Sequence, residues 1–363
     1  MKKNTNSEDY SPMNLKSFIE QFKHPFLIKG WTENCKVTVS DDVLIIVFPF
    51  LVKSIKEQLE EWLLQNLASY TAMNFKKIKI VSDIAVMKPG NDIAKIKNIK
   101  NIIAVSSAKG GVGKSTTSIN LAVALNQLGA NVGVLDADIY GPSIPILIGE
   151  RNTEVTSVDS QTMLPVHKYG IFFNSIGFII PEEKAAVWRG PMASKALKQI
   201  LNDTDWPQLD YLIVDMPPGT GDIQITMAQN IPLTSSVIVT TPQDLSLADA
   251  QKGLSMFKSV NVETLGLIEN MSFYICPKCG NKDYLFGEDS TEMFAKNGKV
   301  PILGKLPLTK QIMESSSRGK PIVWDDPELN ESMQYLDIAE KISASMFWKG
   351  VPLEKEISVK TIL

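Results

Sequence analysis

Two rhythms of apolar residues divide this chain near residue 100. Before that point, short strand-like stretches at Lys36–Val39, Val43–Phe48 and Lys77–Val81 are mixed with helical spacing over Leu15–Phe22 and Val52–Leu67. Beyond Asn101 the predicted strands become almost wholly apolar: Ile102–Ser106, Val132–Leu135, Tyr211–Val214, Val237–Thr240 and Leu265–Ile268, separated by helix-length segments. Strands this apolar must be buried on both faces. The pattern therefore predicts an α/β fold whose mainly parallel sheet is covered by helices on both faces, preceded by a small α/β domain. Ligands of such sheets bind at the carboxyl ends of the strands.

The same reading divides the chain. Residues 1–12 are polar and expected to be disordered, 13–88 form the small domain, and 101–348 form the large one. Between them, Met87-Lys88-Pro89-Gly90-Asn91-Asp92 and the lysine-dotted stretch to Lys100 read as a linker over 89–100. Residues 349–363 form a tail. There is no internal repeat.

Composition narrows the function classes. A chain of 363 residues with 44% hydrophobic residues can bury a large core, and 37 basic against 40 acidic residues leave a net charge of −3. That balance gives no footprint for nucleic acid. No apolar run approaches the roughly 18 residues of a membrane span, and the N-terminus lacks the apolar core of a secretory signal. A cytoplasmic protein is expected, with neither nucleic acid nor membrane as partner. Its three cysteines form no secreted disulfide framework.

The strand Ile102–Ser106 runs into Ala108-Lys109-Gly110-Gly111-Val112-Gly113-Lys114-Ser115-Thr116. Glycines here free the backbone to aim several N–H groups at an anion, and the helix that follows adds the positive end of its dipole. Lys114 is placed to reach the β- and γ-phosphates of a nucleotide, and the Ser115 hydroxyl to ligate Mg²⁺. The lysine's charge is expected to serve the phosphates alone. The strict phosphate-loop pattern is broken at Ala108, but the strand, loop and helix context is present. A second lysine, Lys109, stands five residues before Lys114 and defines the deviant Walker A signature. Its plain alternative is a solvated lysine beside a loop.

Two more predicted strands end in carboxylates. Val132–Leu135 leads into Asp136-Ala137-Asp138-Ile139-Tyr140-Gly141-Pro142, and Tyr211–Val214 into Asp215-Met216-Pro217-Pro218-Gly219-Thr220-Gly221-Asp222. Phosphoryl transfer requires a held metal ion and a positioned water. Asp215 is the candidate for Mg²⁺ and Asp138 for the water; Asp136 is either a site residue or a helix cap. The stiff and permissive positions after Asp215 read as a loop that rearranges around a γ-phosphate.

A second site is Cys276-Pro277-Lys278-Cys279-Gly280, a knuckle aiming two thiolates at one point. Zinc and iron-sulfur sites generally take four ligands, yet Cys35 lies far off and neither His24 nor His167 has ligand spacing to the pair. A two-fold axis beside the knuckle would supply two cysteines from each chain. The count fits a [4Fe-4S] cluster shared by a dimer; a shared structural zinc and a reversible disulfide are the alternatives. Cys35 reads as a small buried hydrophobe.

Taken in order, these segments resemble the Mrp/ApbC family of cytosolic iron-sulfur cluster carriers, within the deviant Walker A group of P-loop NTPases that includes MinD, ParA and nitrogenase iron protein. The resemblance runs from about Ile102 to Ile322 and includes Trp188-Arg189-Gly190-Pro191-Met192, Thr240-Thr241-Pro242-Gln243-Asp244 and Glu269-Asn270-Met271-Ser272. It implies an ATP-binding homodimer with slow ATP hydrolysis coupled to loading of a cluster or its transfer to apoproteins. Within it, Lys109 resembles a lysine that crosses to the partner's nucleotide. Asn270 resembles the residue that recognises adenine, its plain alternative being a turn or cap. The small domain matches its family counterpart only weakly, with His24-Pro25-Phe26 where an Asp-Pro-Glu usually stands. The competing class is a MinD- or ParA-like positioning switch, but the tail is proline-broken and only mildly basic, and a switch leaves the knuckle unexplained. A reductase like nitrogenase iron protein is a third possibility.

Overall fold

The computed structural model describes residues 12–70, 75–157, 159, 161–179 and 190–353. The expected disordered segment up to Ser11, the Trp188-Arg189 pair and the tail from Glu354 lie outside the described residues.

The first elements are α1 (Pro12–Ile19), β1 (Lys36–Ser40), β2 (Val43–Phe48), α2 (Lys53–Tyr70) and β3 (Lys77–Ser82). They build a three-stranded sheet in the order β1-β2-β3, with β1 antiparallel and β3 parallel to β2. Alternation along β2 buries Leu44, Ile46 and Phe48 on one face, where Ile55, Leu59 and Leu63 of α2 join the same core. A period of two on the strand meets helical spacing on α2, so each covers the other's apolar side.

The large unit follows with β4 (Ile99–Ser106), α3 (Lys114–Gln127), β5 (Val132–Asp136), α4 (Ile144–Leu147), β6 (Val166–Lys168), β7 (Ile171–Ser175), α5 (Gly190–Asp203) and β8 (Leu209–Asp215). It continues through α6 (Asp222–Asn230), β9 (Ser235–Thr240), α7 (Asp244–Ser259), β10 (Thr264–Glu269), β11 (Tyr274–Ile275), β12 (Lys282–Asp283), α8 (Ser290–Gly298) and β13 (Ile302–Lys305). It closes with α9 (Lys310–Ser317), α10 (Ile322–Asp325) and α11 (Asn330–Lys349). Eight strands form one sheet in the order β13-β10-β9-β4-β8-β5-β7-β6, parallel throughout except for the edge strand β6. Strands β5, β8 and β9 are buried along almost their whole length, as both-faced helical cover requires. Because the strands run parallel, the ends of β4, β5, β8, β9 and β10 all open on one edge. The short strands β6, β7 and β13 were not visible in the apolar pattern.

The two units share a core. Phe50 packs against Phe347 and Trp348 of α11, and the Trp348 indole N–H donates to the Phe26 carbonyl at 2.8 Å. The Glu340 carboxylate accepts from the Ser54 N–H at the start of α2, at 3.0 and 3.1 Å, and so caps a helix of the other unit. Ser343 Oγ accepts from the Leu51 N–H at 2.9 Å and lies 2.7 Å from the hydroxyl of Tyr211 on β8. The stretch expected as a linker is also held. Gly90 N–H donates to the Leu233 carbonyl, and the Asn91 amide to the carbonyls of Ala228 and Ile231.

Candidate functional site

The phosphate loop leaves β4 and turns into α3 through two glycines that require the left-handed region, Gly111 (φ 81°) and Gly113 (φ 83°). An L side chain at either would be strained. Gly113 faces a second restriction, because a Cβ there would fall 2.2 Å from the Asn270 side-chain nitrogen. Gly110 and Lys109 are exposed, and Lys109 makes no ion pair among the described residues. The Ser107 hydroxyl ties the loop down by donating to the Lys109 carbonyl at 2.9 Å.

The sheet brings Lys114, Ser115 and Asp215 together. Lys114 Nζ lies 2.8 Å from Asp215 Oδ2, with the two side chains 6% and 0% exposed, and the Ser115 hydroxyl donates to the same oxygen at 2.6 Å. This corrects the expectation that the lysine serves phosphates alone: its ammonium is also the charge partner of a wholly buried carboxylate. The other carboxylate oxygen, Oδ1, accepts from the Ser118 hydroxyl at 2.6 Å. Ser118 escaped the sequence reading. Its signal was a polar residue one helical turn beyond Lys114, on the face of α3 that turns inward. Oxygen donors set side by side, a serine hydroxyl and a carboxylate, are the chemistry Mg²⁺ selects. Lys114 and the loop N–H groups are the chemistry that phosphates select.

Asp136 is buried and structural in its contacts. It accepts from the Asp138 and Ile144 N–H groups at 3.1 and 3.2 Å and from the Ser175 hydroxyl at 2.9 Å. It thus pins the β5 loop to α4 and β7. Burial and the neighbouring Asp215 carboxylate push its carboxyl up to about 7. Asp138 is half-buried nearby, its carboxyl raised by burial and drawn back down by Lys114. The loop after Asp215 is tied to β4, Met216 N–H donating to the Val105 carbonyl and Gly219 N–H to the Ser107 carbonyl. Asn270, at the end of β10, donates its amide to the Val112 carbonyl at 2.8 Å. The Thr116 carbonyl accepts from the Asn120 amide inside α3.

The cysteine pair is a separate feature. Strands β11 and β12 form a small antiparallel hairpin. Its turn is closed by Cys276 N–H to the Asn281 carbonyl and Gly280 N–H to the Cys276 carbonyl, at 2.9 and 2.8 Å. Cys276 is half-buried and Cys279 exposed. Hydrogen bonds from the backbone N–H groups of Cys279 and Lys278 lower the Cys276 thiol from its ordinary value. Among the described residues no three His, Cys, Asp or Glu side chains gather as a metal-holding group. Cys35 lies buried in the small unit, where burial pushes its thiol up to about 12.

A mainly parallel sheet with a glycine loop on its central strand, a buried aspartate beside it and a second loop lysine defines a P-loop NTPase of the deviant Walker A kind. Within that class, the chain belongs to the ParA family of NUBPL iron-transfer P-loop NTPases, whose model matches residues 98–343. It is 46% identical over 353 residues to the iron-sulfur cluster carrier protein of Haemophilus influenzae, spanning 96% of this chain and 95% of that one. Among solved structures, it resembles a nucleotide-binding protein of Archaeoglobus fulgidus in complex with ADP. The TM-score is 0.56 and the identity 36%, over 64% of this chain and 95% of the other. The cell division ATPase MinD of Pyrococcus furiosus matches with a TM-score of 0.52 and 22% identity over 67% of this chain and 98% of that one, a likeness of fold alone. No helix among the described residues is long and apolar enough to cross a membrane.

Proposed function

We propose that this protein is a cytoplasmic, ATP-hydrolysing carrier of iron-sulfur clusters that works as a homodimer and passes a [4Fe-4S] cluster to apoproteins. The observation that carries the reading is Cys276 and Cys279 at the tip of an outward hairpin, in the same body as a phosphate loop. Each chain offers two thiolates at one point, and a cluster of this type is generally held by four. Cys276 and Cys279 of the partner subunit would complete the set. Relatives named for cluster carriage support this reading, and the MinD-like positioning switch is not favoured.

At the nucleotide site, the N–H groups of Lys109–Thr116 and the Lys114 ammonium would hold the phosphates of ATP. Ser115 and Asp215 would hold Mg²⁺, which screens phosphate charge when bound. Asp138 would orient the attacking water, Lys109 would reach the partner's nucleotide, and Asn270 would recognise adenine. Hydrolysis is slow and coupled to loading or transfer of the cluster.

Anaerobic reconstitution with iron and sulfide, read by absorption and Mössbauer spectroscopy, tests the central claim. One [4Fe-4S] cluster per dimer is expected, lost in Cys276→Ser and in Cys279→Ser but kept in Cys35→Ser. A full cluster on a monomer, or one zinc per dimer that resists exchange for iron and sulfide, would overturn it.

A further inference from the structure

Asn270 stands where the phosphate loop meets the segment that leads to the cysteine pair. Its side-chain amide donates to the Val112 carbonyl within the phosphate loop at 2.8 Å, and only a glycine at 113 leaves room for it. Its backbone N–H donates to the Thr240 carbonyl at the end of β9, also at 2.8 Å. The residue is nine-tenths buried and held on both sides. Six residues further on stands Cys276.

The intervening segment has little slack. Met271 turns the chain in the left-handed region (φ 54°). Ser272 N–H then donates to the Leu306 carbonyl, Leu306 N–H to the Glu269 carbonyl and Leu308 N–H to the Phe273 carbonyl, at 2.9, 2.8 and 2.7 Å. The Ser272 hydroxyl also donates to the buried Glu269 carboxylate, with Lys305 Nζ 3.8 Å away. Beyond this clamp, the Phe273 ring lies 4.1 Å from Lys282 Nζ and packs edge-on against Tyr284, which fastens the base of the cysteine hairpin. A carbonyl of the phosphate loop is thus linked to the knuckle by a short segment hydrogen-bonded at nearly every step.

We infer that Asn270 is the positioning residue that couples the phosphate loop to the cysteine pair: phosphate groups seated in the loop shift the Val112–Asn270 hydrogen bond, and residues 271–275 carry that shift to Cys276. A packed, hydrogen-bonded segment is a physical route by which one site can bias another, and the coupling itself is what the experiment must show. The inference rests on the reading of the loop as a nucleotide site and adds its route of regulation. Linkage makes such a coupling reciprocal at equilibrium, so a metal or cluster bound by the thiols alters nucleotide affinity by the same factor by which nucleotide alters its binding.

The test uses bare thiols of the full chain and does not depend on a cluster. Iodoacetamide labelling of Cys276 and Cys279 is followed by mass spectrometry with no nucleotide, with saturating Mg-ADP and with saturating Mg-ATP, nucleotide binding being measured separately. In the wild type, the labelling rate of Cys276 is expected to change by about fivefold or more on nucleotide binding. In Asn270→Ala at saturating nucleotide the change should vanish. In Ser272→Gly, which loosens the segment away from the loop, nucleotide should still bind while the change shrinks. Nucleotide bound by the wild type without any effect on labelling would overturn the coupling and leave the carrier reading intact. A full effect retained in Asn270→Ala would overturn the role of Asn270. Failure of the wild type to bind nucleotide would overturn the nucleotide site itself, and the coupling with it.

Discussion

Lys114 and Asp215 form an ion pair in the interior of the sheet edge, Nζ to Oδ2 at 2.8 Å, with almost no exposure of either side chain. Removing one partner of such a pair leaves an uncompensated buried charge, which costs about 3–5 kcal/mol. Lys114→Ala is therefore expected to lose nucleotide binding and also to unfold at a clearly lower temperature without any nucleotide present. Asp215→Asn in the same chain should recover part of the loss. Thermal unfolding of the two single variants and the double variant measures this, and equal stability of wild type and Lys114→Ala would contradict the pairing.

Ser118 fixes the second oxygen of Asp215 at 2.6 Å. A hydrogen bond to a charged group contributes about 1.5–3 kcal/mol to stability, so Ser118→Ala should lower the unfolding temperature and, by freeing the Asp215 carboxylate to turn, weaken Mg²⁺-dependent nucleotide binding. Binding measured in EDTA should change far less. Ser118→Thr, which keeps the hydroxyl, should restore most of the affinity, whereas equal losses in both variants would point to packing and not to the hydroxyl.

Asp136 makes stability depend on pH in a direction opposite to that of most paired carboxylates. Its carboxyl is pushed from 3.8 up to about 7 in the folded chain, so between these values the folded state holds a proton that the unfolded state has lost. Stability from this group is present below about pH 4 and is lost as pH rises toward 7, at up to about 1.4 kcal/mol per pH unit. Asp136→Asn removes that slope while keeping a fixed cost from altered hydrogen bonds. Urea midpoints at pH 5 and pH 7.5 should fall closer together in the variant than in the wild type.

The nucleotide side of this architecture was legible because its parts are local. Three glycines, a lysine and a serine stand side by side in the chain, and Asp215 ends an apolar run that could only be a buried strand. What the sequence hid depends on contacts between distant residues. Ser118 meets Asp215 across 97 positions, and Glu340 caps α2 across 286; neither pairing leaves a trace in periodicity. For the same reason residues 89–100, polar and lysine-dotted, gave no sign of the carbonyls of α6 and the turn after it that hold Gly90 and Asn91. Short strands such as β6, with three residues, fall below the length at which alternation can be read.

Asp138 and Lys109 give the most demanding prediction, because their proposed roles belong to two different active sites. Asp138 is half-buried on the β5 loop, where its electrostatic surroundings include Lys114 and Asp215, while Lys109 extends from the exposed part of the phosphate loop. If Asp138 orients the attacking water, Asp138→Asn should keep ATP binding and lower hydrolysis by about 10²- to 10⁴-fold. Lys109→Ala should also be slow if its ammonium serves the partner's nucleotide. Mixed dimers of the two variants then distinguish a role in cis from one in trans. In a dimer carrying one chain of each, both lesions fall on the same nucleotide, the one bound by the Asp138→Asn chain and lacking the partner's Lys109. The other nucleotide keeps its own Asp138 and receives Lys109 from its partner. Turnover should therefore rise on mixing, toward half the wild-type rate per heterodimer. No recovery on mixing, with heterodimers confirmed by mass spectrometry, would place Lys109 at its own chain's nucleotide, and unchanged turnover in Lys109→Ala alone would return it to a solvated lysine.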